Sequence, residues 1–178
     1  MDGNERDSEM TAALTRSRQE IRMANLRQKL VSAGVVRLYE TSRNEISPTT
    51  GSGDIRFTIG GKELLAWVRE EPDAAGAIKL FGYPVVSSTD ATIVPEGDIL
   101  PLLRQSAEET VQYVAKVVEI LQVQSTHSRT TPHYWVVVDC GLLLTLSLNA
   151  PSIETLAAGD VVRGSGVLEF RVLKSPSR

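Results

Sequence analysis

Hydrophobic and polar positions alternate most clearly between Val111 and Leu173, and that stretch predicts strand after strand. Val111, Tyr113, Ala115 and Val117 fall on one face at period two, with Lys116, Gln122 and Gln124 on the other. The adjacent Val117-Val118 and the displaced Glu119 break the alternation. That predicts a β-bulge at which a long strand bends and serves two halves of a sheet. Ser125–Pro132 is polar and reads as a loop. His133–Val138 is a second strand, rich in β-branched and aromatic residues. Asp139-Cys140-Gly141 reads as a tight turn. Leu142, Leu144, Leu146 and Leu148 then alternate with Leu143, Thr145, Ser147 and Asn149, a strand expected to bury one face. Asn149–Ser152 offers helix-capping chemistry, so Ile153–Ala158 is expected as a helix of one or two turns. Val161–Leu173 returns to strand.

Upstream, Thr11–Ser32 has a helical composition, and Ser32-Ala33-Gly34 ends it. Its apolar positions occupy two sides. Leu14 and Ile21 lie near one, and Met23, Leu26 and Leu30 lie near the other, so the helix is either gripped from two sides or waits for a partner. Residues 1–10 carry few apolar groups and are expected to be disordered. Val35–Glu40 is a strand candidate, and Thr41–Gly53 a loop. Ile55, Phe57 and Ile59 alternate inward, Gly60-Gly61 is a hairpin turn, and Leu64–Arg69 returns with Trp67 as a core anchor. Glu70–Gly76 is a loop, and Ala77–Val86 is a strand whose end Pro84 places at a sheet edge. Asp98–Gln105 is expected as a short helix with Pro101 in its first turn, followed by a capping box at Ser106–Glu109.

The fold class expected is mainly β with an N-terminal α-helix, built from small β-barrels. The division expected is a tail at 1–10, a basic helix at 11–32, a β subdomain at 33–95, a linker with a short helix at 96–110, and a C-terminal barrel at 111–174. One larger sandwich or barrel is the competing arrangement.

The long bent strand, the Pro151–Ala158 segment and its exit Leu156-Ala-Ala-Gly-Asp160-Val-Val together resemble the oligonucleotide/oligosaccharide-binding (OB) barrel. That fold is a five-stranded Greek-key barrel with a helix between its third and fourth strands. The resemblance covers the C-terminal region only. A fifth strand follows if Arg163-Gly-Ser-Gly166 is a hairpin turn. Otherwise Gly164 and Gly166 mark a kink in one strand, and the fifth strand comes from earlier in the chain.

Composition narrows the function. The 42% hydrophobic and 23% charged fractions are those of a globular chain. No apolar run is long enough to span a bilayer, and the acidic start lacks a signal-peptide pattern, so an intracellular, cytoplasmic or nuclear protein is expected. Basic against acidic residues number six to five in 1–30, seven to ten in 31–105 and six to seven in 106–178. No segment is strongly basic, which weighs against tight binding to phosphate backbones.

Catalytic and metal chemistry find no pattern. His127, His133, Asp139 and Cys140 match no zinc spacing, and Cys140 in its turn reads as structural. Gly61-Lys62 is followed by Glu63, so no phosphate loop is present. Neither a cofactor, a metal nor an enzymatic activity is expected.

The functional reading is a non-enzymatic β-barrel subunit or adaptor acting through protein–protein contacts, within or outside a nucleic-acid-associated assembly. Its partner is another protein subunit, with homo-oligomers allowed and no membrane expected. The docking candidates are Arg16, Arg18, Arg22, Met23, Leu26, Arg27 and Leu30 of the helix, or the strand edge near Pro84. The alternative is an OB-type binder of single-stranded DNA or RNA, using Lys116, Arg129, Tyr134, Arg163 and Arg171. A viral or phage structural component is a third class that no residue singles out.

Overall fold

The computed structural model describes residues 2–46, 53–68, 79–95, 100–124 and 132–173. Among the described residues one helix, α1 (Asp2–Ser32), precedes ten strands: β1 (Arg37–Ile46), β2 (Gly53–Ile59), β3 (Lys62–Val68), β4 (Lys79–Ser88), β5 (Thr92–Val94), β6 (Leu102–Ala107), β7 (Thr110–Gln124), β8 (His133–Asp139), β9 (Leu143–Leu148) and β10 (Val161–Val172). The fold is mainly β with an N-terminal helix, as the pattern predicts.

The strands join one ten-stranded sheet that closes on itself twice. β7 pairs with β8, β8 with β9, β9 with β4 in parallel, β4 with β10, and β10 again with β7. That is a five-stranded ring. A second ring runs β4–β1–β2–β3–β10 and closes through the same β4–β10 pair. Strands on both sides of residues 96–110 therefore belong to one hydrogen-bonded sheet. One hydrophobic cluster fills both rings, from Tyr39, Phe57 and Phe170 at one end to Tyr134, Leu146 and Ile153 at the other.

The shared strands change neighbours halfway. β4 meets β1 through residues 79–82 and β9 through 85–88, so Tyr83 and Pro84 have neither neighbour on that edge. Pro84, which carries no N–H, thus sits where that edge of the strand has no partner strand. Pro84 is buried and its strand is central, so the expected sheet edge is not there. β10 makes the equivalent exchange, passing from β5 at 161–163 to β4 at 168–172 on one edge. Gly164 and Gly166 lie inside it. They lie in a continuous strand rather than a hairpin turn, and the fifth strand of the C-terminal ring is β4, from earlier in the chain.

Several local expectations hold. The Gly60-Gly61 turn has positive φ at both positions and joins β2 to β3. The register of β7 shifts between Val117 and Glu119, where the alternation breaks. Gly141, at φ 93°, turns the chain after β8, and its N–H donates to the Asp139 carboxylate at 2.9 Å.

Other expectations are corrected. Residues 2–10 are helical rather than disordered, and the acidic Glu5 in the first turn suits the positive end of a helix. β1 continues through Ile46 where a loop from Thr41 is expected, because β2 pairs with it out to Ile46–Gly53. Residues 102–107 form a strand, not a helix. β6 completes a hairpin with β7, buries Leu103, and uses Gln105 to bond both the N–H and the carbonyl of Leu65. Ser106–Glu109 belongs to that hairpin and its turn, with Glu108 at φ 42°. Residues 153–158 are irregular, between turns at 151–152 and 158–159, and form no helix. Their neighbourhood is bonded to other strands: Gly159 N–H to the Val117 carbonyl, Val117 N–H to Asp160, and the Ser152 hydroxyl to Ala91. Ile153 and Leu156 are buried in the core from this irregular segment. β9 buries both faces beyond Leu143, since Thr145 and Ser147 are covered as well as Leu144, Leu146 and Leu148. The loop expected at 70–76 lies outside the described residues, as does that at 125–132 except for Pro132.

Candidate functional site

Two surfaces stand out, and the helix is the first. α1 ends in a Schellman turn. Gly34 takes φ 78°, its N–H donates to Val31 and the Val35 N–H reaches back to Leu30. Leu30 and Val35 are both buried in a second apolar cluster, with Leu26, Tyr83, Val85, Leu121, Trp135 and Val137. That cluster lies on the outer face of the C-terminal ring. Lys29 adds a tether, donating to the Leu121 carbonyl at 2.8 Å. The last two turns of α1 are therefore part of the body.

The rest of the helix is not. Every residue from Asn4 to Asn25 is exposed. Met10 is 60% exposed, Leu14 55%, Ile21 58% and Met23 48%. The two-sided pattern is thus resolved. Leu26 and Leu30 are held by the chain's own barrel, whereas Leu14 and Ile21 face solvent, joined there by Met10. Of the docking candidates, Leu26 and Leu30 are covered, while Arg16, Arg18, Arg22, Met23 and Arg27 are accessible.

The second surface is the outer face of β6, β7, β10 and β5 where they run side by side. Cross-strand neighbours fall in rows. Leu102, Val114, Arg163 and Thr92 share one, Arg104, Gln112 and Ser165 the next, and Lys116, Val161 and Val94 a third. Paired residues point to the same face. Lys116 and Arg163 are thereby brought onto one exposed face, together with Arg104. A shallow groove of about 480 Å³ lies in it, lined by Asp90, Leu102, Gln112, Val114 and Arg163 among others. Arg104 escaped the sequence reading because its segment was expected to be helical, and strand parity then gives no direction.

The remaining candidates lie elsewhere. Tyr134 points into the ring, is 6% exposed, and donates its hydroxyl to the Glu154 carbonyl. Arg171 lies over the Trp135 ring at 5.1 Å and against Glu169 at 3.9 Å. Arg129 lies outside the described residues.

A hydrogen-bonded chain borders the groove. The Tyr113 hydroxyl donates to Ser88 Oγ at 2.7 Å, and Ser88 donates to Asp90 at 3.2 Å. Burial pushes the Tyr113 phenol up to about 12. Burial also raises the Asp90 carboxyl, but hydrogen bonds from the Ser165 hydroxyl and N–H and from Ser88 outweigh it. The net pKa lies below the usual carboxylate value. Ser88 is 1% exposed, so its hydroxyl is closed to a substrate and the chain reads as a structural tie. His133 shares a hydrogen bond with Ser147 and stacks on Trp135 at 5.9 Å, at the far end of β8 from Cys140. Burial raises the Cys140 thiol, which disfavours the reactive thiolate. Among the described residues no group of three His, Cys, Asp or Glu side chains is placed to hold a metal. No described helix is long and apolar enough to cross a membrane.

No family model, curated protein or solved structure matches this chain.

Proposed function

We propose that this protein is a non-enzymatic β-barrel subunit acting as an adaptor, and that the free length of α1 is the element that docks another protein. One observation carries this reading: a helix fixed to the body by its last two turns while Met10, Leu14 and Ile21 stay exposed along the rest. In proteins most helical stability comes from packing of an apolar face rather than from propensity. The ring β7–β8–β9–β4–β10 is read as an OB-type barrel, on its five strands and its bent long strand; an irregular segment replaces the helix of that pattern.

The test is affinity capture with the full chain and with a Met10→Ser/Leu14→Ser/Ile21→Ser variant. Deleting residues 1–32 would uncover Trp135 and Val137, so substitution is the cleaner probe. The adaptor reading expects partners lost by the variant and kept by Lys116→Ala/Arg163→Ala. An identical captured set for all three proteins would overturn it.

A second reading, single-stranded DNA or RNA binding across the β6–β7–β10 face, is favoured by the shared exposure of Arg104, Lys116 and Arg163. Against it, Tyr113, Tyr134, Trp135 and Phe170 are all buried, so the stacking platform such sites use has no member here. Anisotropy titration of labelled oligonucleotides checks it. Binding that weakens steeply with salt and on Arg163→Ala would favour this reading over the first.

A further inference from the structure

We infer that the free half of α1 pairs with the same helix of a second copy of this chain, antiparallel, making a homodimer. This rests on the reading of α1 as a docking element and names the partner. The argument is the arrangement of charge around the exposed apolar stripe.

The helix is electrically two-ended. Glu5, Asp7 and Glu9 stand against Arg6 near its start, whereas Arg16, Arg18, Arg22, Arg27 and Lys29 stand against Glu20 further on. A parallel pair would set acid on acid and base on base. An antiparallel pair sets each end on its opposite, and the helix dipoles also oppose.

One register brings Met10 and Leu14 together with opposite charges. Place Met10 of one copy against Leu14 of the other, so that the two-fold axis passes through residue 12. Facing positions then sum to about 24 in residue number, and pairs beside the seam to one or two more. Asp7 falls beside Arg18 of the second copy and Arg6 beside Glu20, while Ile21 lies at the end of the overlap. At 3.6 residues per turn, Asp7 and Arg18 flank the Met10–Leu14 stripe on one side and Arg6 and Glu20 on the other, whereas Glu9 and Arg16 lie outside the seam. An antiparallel two-fold pair brings like flanks together, so Asp7 meets Arg18 and Glu20 meets Arg6 on the correct side. The overlap runs over roughly residues 4–21, about 27 Å of helix. It stops short of Leu26, where the barrel begins to cover α1, so the bodies lie at opposite ends of the pair and do not collide.

The test is sedimentation velocity of the purified full chain over a range of concentrations, with circular dichroism to confirm the fold. The wild type is expected to pass from monomer to dimer as concentration rises, and high salt is expected to weaken the dimer. Asp7→Arg or Arg18→Asp alone turns two attractive contacts per dimer into repulsions and is expected to weaken association about tenfold. The double variant Asp7→Arg/Arg18→Asp is expected to recover most of it, which a loss of helix propensity would not allow. Met10→Ser/Leu14→Ser is expected to leave a folded monomer. A wild type that stays monomeric throughout, a double variant as weak as either single one, or a dimer untouched by Met10→Ser/Leu14→Ser would each overturn the pairing. A monomer that binds an oligonucleotide through Arg16, Arg18 and Arg22 would overturn it in favour of a phosphate partner. A monomeric chain that still loses a captured protein on Leu14→Ser sinks the homodimer alone. A dimer whose captured proteins ignore Leu14→Ser sinks the adaptor reading alone.

Discussion

The Asp90 carboxylate grips Ser165 twice, accepting the backbone N–H at 2.8 Å and the hydroxyl at 2.6 Å. The grip falls in the interval where β10 has left β5 and has not yet reached β4. A side chain thus supplies the acceptor that a strand would otherwise offer. Gly164 leaves room for it, since a Cβ there would lie 2.6 Å from the Tyr113 hydroxyl and 3.0 Å from Asp90.

A pH dependence follows from that grip. The folded Asp90 pKa lies below its unfolded value, so its stabilisation is present above the unfolded pKa, about 3.9. It is lost as pH falls through the folded value. Asp90→Ala is expected to cost about 1–3 kcal/mol at pH 7, by the worth of hydrogen bonds to a charged group. The gap between wild type and variant should narrow below about pH 4. Urea midpoints at pH 7 and pH 3.5 measure both, and a gap that stays constant would contradict the assignment.

The crossing of the two rings predicts a second effect. An added Cβ at Gly82 would lie 2.0 Å from the Arg171 carbonyl oxygen, and one at Gly166 would lie 2.2 Å from that of Ser87. Both obstacles are backbone, so neither turns aside cheaply. Gly82→Ala and Gly166→Ala are each expected to destabilise by more than about 2 kcal/mol, as strain at a packed crossing does. Denaturant unfolding checks this; an unchanged midpoint would refute the close approach of β4 and β10.

Thr145 supplies a prediction of the opposite sign. Its side chain is fully buried, and Oγ1 finds no partner among the described residues. Its cross-strand neighbours, Val137 and Val85, belong to the apolar layer beneath Leu26 and Leu30. Thr145→Val removes an unpaired hydroxyl from that layer and is expected to stabilise by about 1 kcal/mol. At this chain length that raises Tm by about 2–4 °C. A lowered Tm would mean the hydroxyl is bonded after all.

Local pattern carried much of the fold. Period-two alternation assigned the inward face of β7, and its failure at Val117–Glu119 located the bulge. The Gly60-Gly61 pair predicted a hairpin from glycine's freedom at positive φ. What escaped was long-range. β4 pairs with β9 and β10, strands about 60 and 85 residues further on, and no local signal encodes such partners. The Arg163–Gly166 segment left two arrangements open for that reason, and the distant strand decided between them. At 153–158 capping chemistry pointed to a helix, but tertiary hydrogen bonds to Val117 and Ala91 claim the segment. Lys116 was legible as an outward cation, whereas the facing of Arg163 needed the continuous β10 and the burial of Tyr134 the closed ring. In α1 the sequence pointed to Met23, Leu26 and Leu30 as the side packed on the chain's own body; Leu26 and Leu30 are packed there and Met23 is exposed.

Amide hydrogen exchange along α1 tests the central claim most directly. In dilute purified protein, residues 26–32 should be protected with the barrel, while 4–25 exchange rapidly. On saturation with the docked partner, or with a second copy at high concentration, protection should extend through 4–25. Residues 4–25 as protected as the barrel in the dilute monomer, or unprotected in the complex, would contradict the account.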